Sequence, residues 1–66
     1  MTFVEKQHAN KNYYISLEYE NNCIIVQVCP RHDENLCGYP IRKMTYSINE
    51  KEKANATFKR YIKKYI

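Results

Sequence analysis

Residues 12–30, which read NYYISLEYENNCIIVQVCP, decide the fold of this 66-residue chain. Two runs rich in β-branched and aromatic residues flank the pair Asn21-Asn22, and asparagine tolerates the positive φ that a two-residue hairpin loop demands. Folding the chain at this pair sets Glu20 opposite Cys23. Because a shift of one residue would turn every side chain to the other side of the sheet, the pairing predicts two faces of different character.

One face of this hairpin is apolar and predicts the core. Its members are Tyr13, Ile15, Leu17, Tyr19, Ile24, Val26 and Val28. The opposite face, called the outer face below, mixes charged, polar and apolar side chains. Its members are Tyr14, Ser16, Glu18, Glu20, Cys23, Ile25, Gln27 and Cys29.

The second half of the chain predicts a loop, one more strand and a helix. Residues 31–38 are polar and end in the only glycine, which is typical of a loop. Residues 39–46 are typical of a strand, and Pro40 requires that its start lie at a sheet edge because proline has no N–H to donate. Residues 47–50 (SINE) form a capping-box pattern, so a helix should follow to about Tyr65.

The predicted helix carries one apolar stripe at three- and four-residue spacing, which indicates that it packs on the apolar face of the hairpin. The stripe consists of Ala54, Phe58, Tyr61, Ile62 and Tyr65. We therefore predict an α+β fold: a three-stranded antiparallel β-meander with one C-terminal α-helix on one face (β-β-β-α). This single domain spans residues 12–66, and residues 1–11, which show no period, predict a flexible N-terminal tail.

Length and composition exclude several classes of protein. A chain of this size makes one small domain, which buries only about 60% of the surface of its unfolded form. It has no apolar run near the roughly 18 residues that a membrane span needs, and its N-terminus does not have the apolar core of a signal peptide. We therefore expect a cytoplasmic location and no membrane partner, and the odd number of cysteines (three) agrees with reduced thiols.

The residues that carry chemistry are sparse. Cys29, His32 and Cys37 supply three of the four ligands that a structural zinc site requires. The candidates for a fourth ligand are His8, Asp33 and Cys23. We favour the alternative of two partly buried thiols and a solvated histidine, with no metal. A single glycine excludes a phosphate loop, and no paired acids recur at helical spacing, so we expect no catalytic residues, no cofactor, no small-molecule substrate and no enzymatic activity.

Charge is distributed unevenly along the chain and suggests a function. Residues 1–41 carry three Lys/Arg and five Asp/Glu, whereas residues 42–66 carry eight Lys/Arg and two Glu. A basic helical face suits phosphate contacts, which give affinity for nucleic acid without reading its sequence. The predicted nucleic-acid-binding residues are Arg42, Lys43, Lys59, Arg60, Lys63 and Lys64. The competing interpretation is a solubilising face whose cations stabilise the negative end of the helix dipole.

A protein partner is the alternative function. Tyr14 and Ile25 lie on the outer face, where no second layer is predicted, and a modest apolar patch of this kind often marks a protein contact. Glu18 and Glu20 on the same face would repel phosphate. A chain this short with open sheet edges can also form a homodimer through them.

The order strand, strand, strand, helix resembles the arm-type DNA-binding domain at the N-terminus of tyrosine recombinases. The resemblance lies in YYISLEY and in YSINEKEKANATFKRYIKKY, and it implies a three-stranded sheet that enters the major groove, braced by a C-terminal helix. The chain departs from that family at Glu18 and Glu20, because the family's sheet is generally basic, and it has no recombinase catalytic domain. In its size and its Lys/Asn/Tyr/Ile-rich character it is also similar to small uncharacterised proteins of Gram-positive conjugative elements, which implies an accessory role on a mobile element.

Overall fold

A computed structural model describes residues 2–31 and 39–66. Within these ranges the elements, in chain order, are β1 (Thr2–Ala9), β2 (Tyr13–Glu20), β3 (Cys23–Pro30), β4 (Arg42–Ser47), a single 3₁₀ turn (Ile48–Glu50) and α1 (Lys51–Tyr65). The strands form one antiparallel sheet in the order β1-β2-β3-β4, and α1 packs on one of its faces. The predicted α+β class and the C-terminal helix are confirmed, but the number of strands is not.

The additional strand is β1, which occupies most of the segment predicted as a tail. It pairs antiparallel with β2 from Thr2, opposite Glu20, to Ala9, opposite Tyr14. The pairing register shifts between Val4 and Lys6. Such a bulge breaks the two-residue alternation of side chains, and after it the polar Lys6 and His8 stand opposite Leu17 and Ile15, so the sequence shows no apolar period there. The prediction of three strands was therefore one strand short.

The central hairpin has the predicted register. All eight pairs between β2 and β3 agree with it, from Tyr13 opposite Pro30 to Glu20 opposite Cys23. Among the described residues, only Asn21 has a positive φ, at 56°. The left-handed conformation is thus confined to the first asparagine of the turn, which is a residue type that tolerates it.

The last strand begins later than predicted. Residues 39–46 were expected to form it, but β4 spans Arg42–Ser47, and Tyr39 is 93% exposed. Pro40 cannot donate a ladder bond, and backbone pairing starts after it, where the Ile41 N–H donates to the Val28 carbonyl at 2.8 Å. Residues 32–38 of the predicted loop lie outside the described residues.

The core lies between α1 and the predicted apolar face of the hairpin. Its buried members are Ile15, Leu17, Ile24, Val26 and Val28 from the sheet and Ala54, Phe58 and Tyr61 from α1. Ile62 and Tyr65 of the predicted stripe are partly buried against this core. The predicted capping box is also present, and in it the Glu50 carboxylate accepts a hydrogen bond from the Ser47 N–H at 3.1 Å.

Candidate nucleic-acid interface

Two polar contacts fix the rotation of α1 about its axis, and they therefore decide where its cations point. On the β4 side, the Tyr46 hydroxyl and the Thr57 hydroxyl are hydrogen bonded at 2.6 Å. On the β1 side, the Lys6 ammonium donates to the Asn55 side-chain carbonyl at 2.6 Å. Since Thr57 and Asn55 flank the buried stripe, the surface opposite the sheet is left to solvent.

The basic residues of α1 divide between two parts of this surface. Arg60 and Lys64 follow Thr57 by three and seven positions, so helical geometry places them on the flank that faces β4. Lys59 follows Asn55 by four positions and lies towards the β1 side, whereas Lys63 points directly away from the sheet. All four side chains are exposed. Together Lys59, Arg60, Lys63 and Lys64 are called the basic surface below.

The cations of the first helical turn differ from those of the basic surface. Lys53 pairs with the Glu50 carboxylate at 3.3 Å, and Lys51 lies 3.9 Å from the Glu5 carboxylate. Within residues 2–31 and 39–66, no carboxylate forms an ion pair with a cation of the basic surface. Among these residues, nothing therefore compensates the positive charge at the C-terminal half of α1, where it can attract an anion.

The two predicted cations of β4 lie on opposite sides of the sheet. Arg42 stands opposite Val28 and so shares the face that α1 covers, whereas Lys43 stands opposite Gln27 on the outer face. Sequence reasoning treated them as one pair, but neighbouring residues of a strand point to opposite faces. The structure thus separates Lys43 from the basic surface.

Arg42 lies at the same end of the sheet as the C-terminus of α1. The Tyr65 ring contacts the Tyr13 ring at a centroid distance of 5.2 Å, and Tyr13 stands opposite Pro30 at the end of β3. Arg42 pairs with β3 two residues before that end. The start of β4 and the last turn of α1 therefore place their cations at one end of the molecule.

The outer face carries a hydrogen-bonded polar network that sequence reasoning missed. One Glu18 carboxylate oxygen accepts from the Ser16 hydroxyl at 2.8 Å and from the Gln27 amide at 2.7 Å. The Tyr14 hydroxyl donates to the Gln7 side-chain carbonyl at 2.6 Å. The predicted register already placed Ser16 opposite Gln27 beside Glu18, so the signal was present in the hairpin pattern. Phosphate would meet a carboxylate on this face.

The predicted protein-contact residues Tyr14 and Ile25 lie on that outer face and are half-buried. Tyr14 is engaged with Gln7 through its hydroxyl. Their role in a protein contact stays a prediction. Most of the large apolar side chains that are more exposed lie at the two edges of the sheet instead. They are Phe3 and Val4 on β1 and Ile41, Met44 and Ile48 in or next to β4, whereas Tyr39 and Ile66 lie outside the strands.

A second polar cluster lies between β1 and α1. The Glu5 carboxylate beside the Tyr19 hydroxyl raises the pKa of that phenol above its ordinary value. Lys51 completes the cluster, with its ammonium 5.9 Å from the centroid of the Tyr19 ring. Lys51 is thus engaged with Glu5 and Tyr19, which separates it functionally from the basic surface.

Neither a metal site nor a membrane-spanning helix is found among the described residues. Among the described residues, no group of three or more His, Cys, Asp or Glu is arranged to hold a metal ion. Cys29 is buried, and its predicted companions His32 and Cys37 lie outside the described residues. No helix in the described ranges is both long and apolar enough to cross a membrane.

No protein-family model, no curated protein and no solved structure matches the chain. The resemblances to the recombinase arm-type domain and to proteins of conjugative elements stay predictions.

Proposed function

We propose that this chain is a small non-enzymatic cytoplasmic protein that binds nucleic acid, DNA in particular, through the basic surface of α1. The observation that carries the proposal is the set of four exposed cations without an ion pair to any described residue. Arg42 extends the surface at the same end of the molecule. Contacts of this kind go to phosphates, so the binding is expected to have little sequence preference.

The outer face is not part of this proposal. Its central carboxylate, Glu18, is held in place by Ser16 and Gln27, and a fixed negative charge disfavours a phosphate backbone. If the resemblance to the recombinase arm-type domain holds, this chain would use its helix for the contact that the family makes with its sheet.

The salt dependence of binding follows from the number of cations. Neutralising four phosphates of duplex DNA gives a slope of log K against log salt of roughly −3.6, at about −0.9 per phosphate. The competing interpretation, in which the cations only stabilise the helix end, predicts no such binding.

Two charge-matched double variants test the proposal. Arg60→Gln with Lys64→Gln removes two cations of the basic surface, and Lys11→Gln with Lys43→Gln removes two exposed cations elsewhere. Fluorescence anisotropy with a labelled duplex, measured over a series of salt concentrations, should show weaker binding and a slope shallower by about 1.8 for the first variant only. Equal loss in both variants, or no binding of the unaltered chain at low salt, would refute the proposed surface.

The alternative function, a protein contact, is supported by observations at the sheet edges. Large apolar side chains are exposed there, and β1 and β4 each lack a further neighbouring strand among the described residues.

A further inference from the structure

β4 is the last strand of the sheet, and its backbone hydrogen bonds show which of its groups are unused. The Ile48 N–H donates to the Asn22 carbonyl at 3.1 Å, in line with the register that pairs Met44 with Val26. Directly opposed pairs in an antiparallel ladder alternate between hydrogen-bonded and non-hydrogen-bonded. The even-numbered residues of β4 therefore direct their N–H and C=O groups to β3, and Lys43, Thr45 and Ser47 direct theirs away from the sheet.

The outward groups of β4 form a symmetric set. The Ser47 N–H is already taken by the Glu50 carboxylate at 3.1 Å. This leaves the N–H and C=O groups of Lys43 and Thr45, one residue on either side of Met44. No described segment lies beside this edge, because β4 ends the strand order.

We propose that the β4 edge binds a second copy of this chain, with β4 paired antiparallel to its counterpart about a two-fold axis at Met44. In this register Lys43 of each copy stands opposite Thr45 of the other, and the two residues exchange backbone hydrogen bonds. The two Met44 side chains meet at the axis as a non-hydrogen-bonded pair, in which side chains lie closest. The pairing uses every outward group of Lys43 and Thr45 and leaves the Ser47 cap intact.

The side chains on this edge suit such a pairing. Met44 is 42% exposed in the single chain and is covered at the axis. Arg42 comes opposite Tyr46 of the second copy, which places a cation beside an aromatic ring. Since Lys43 comes opposite Thr45, no cation in the strand pair is directly opposite another cation. Apolar contact at the centre with polar pairs around it is the usual arrangement of a protein interface.

The distribution of charge is compatible with the same geometry. In each copy, the cations of Arg42 and Lys64 lie at one end of β4 and α1, whereas at the other end Glu50 and Glu52 are balanced by Lys51 and Lys53. The two-fold axis reverses one copy, so each basic end lies beside a balanced end of its partner and not beside a second basic end. The C-terminal ends of the two helices then lie at opposite ends of the dimer.

The opposite edge of the sheet is less suited to pairing. The register of β1 shifts between Val4 and Lys6, and the bulge carries the charged side chains of Glu5 and Lys6. Bulges and charges are common means by which proteins prevent edge-to-edge association. β4 pairs with β3 over all six of its residues without such a shift, so its outer edge is straight enough to accept a strand.

Sedimentation velocity of the full chain tests the dimer. Two variants are compared, at residues whose side chains are almost equally exposed in the single chain. Met44→Lys places two charges at the axis, and Val4→Lys makes the same change on β1, where Val4 is 41% exposed. At high micromolar concentration the unaltered chain and Val4→Lys should sediment with twice the chain mass of 8.0 kDa. Met44→Lys should sediment as a single chain with unchanged far-ultraviolet circular dichroism.

A cross-link gives a second readout that does not depend on the stability of Met44→Lys. Non-hydrogen-bonded pairs have Cα atoms about 4.5 Å apart, which is within the range of a disulfide. Met44→Cys should therefore form a covalent dimer under mild oxidation, well above the level in Val4→Cys. A monomeric unaltered chain at high micromolar concentration, a dimer that persists in folded Met44→Lys, or equal cross-linking of the two cysteine variants would overturn the proposal.

Discussion

The hydrogen bond between Tyr46 and Thr57 offers a sharp test of how α1 sits on the sheet. At 2.6 Å it joins the edge strand to a helix residue that is only 4% exposed. Tyr46→Phe removes one hydroxyl and Thr57→Val the other, with little change of side-chain volume. Each variant should lose about 1 kcal/mol, since a net hydrogen bond contributes roughly 0.5–1.5 kcal/mol. For a domain of this size, that loss lowers the melting temperature by about 4–8 °C.

The double variant separates the bond from the two side chains. Because one hydrogen bond is lost only once, the loss in Tyr46→Phe/Thr57→Val should be smaller than the sum of the single losses by about 1 kcal/mol. Urea unfolding followed by circular dichroism measures all four corners of this cycle. If the single losses add within about 0.3 kcal/mol, the two hydroxyls are not coupled. The placement of Arg60 and Lys64 on the β4 flank would then lose its basis.

Two further predictions concern the turn and the helix cap. Asn21→Ala should lower the free energy of unfolding by about 1–2 kcal/mol, because alanine is disfavoured at φ 56°. Asn22→Ala should change the free energy of unfolding little, and Asn21→Gly should be tolerated. Equal losses in the two alanine variants on urea unfolding would contradict this. The hydrogen bond from the Ser47 N–H, together with Lys53, holds the pKa of Glu50 below its ordinary value, so the unfolded state takes up the proton first. The stability that this carboxylate contributes is present above the ordinary carboxyl pKa and is lost as the pH falls through the pKa of Glu50 in the folded state. Glu50→Gln should therefore make the urea midpoint depend less on pH in the acid range. The control Glu52→Gln should leave that dependence unchanged. An unchanged acid dependence in Glu50→Gln would contradict the cap.

The parts of the fold that the sequence predicted well are those in which period and turn agree. The hairpin register follows from two clean alternations around Asn21, and the helix follows from its stripe and its capping pattern. The first strand was missed because the register shifts at Glu5 and because the polar Lys6 and His8 lie on the same face as Phe3, so its sequence has no apolar alternation. The late start of β4 reflects the missing N–H of Pro40, which the sequence shows but which does not by itself mark where pairing begins.

The candidate site was predicted in composition but not in geometry. The sequence identified the cations of α1, yet only the contacts of Thr57 and Asn55 show how they divide between the two flanks. Alternation along the predicted strand already implied that Arg42 and Lys43 point to opposite faces. Which of the two shares the face of α1 depends on the register of β4 against β3. The symmetric set of outward groups around Met44 depends on the same register and was therefore beyond sequence reasoning.

The most direct test of the proposed function is amide chemical-shift mapping of the labelled chain during titration with a short DNA duplex. The account predicts that the largest shifts fall at residues 59–64 and near Arg42 and weaken as salt is raised. The chemical shifts of the amides around Glu18 and Gln27 on the outer face should not change. Shifts concentrated on that outer face, with residues 59–64 unaffected, would contradict the account.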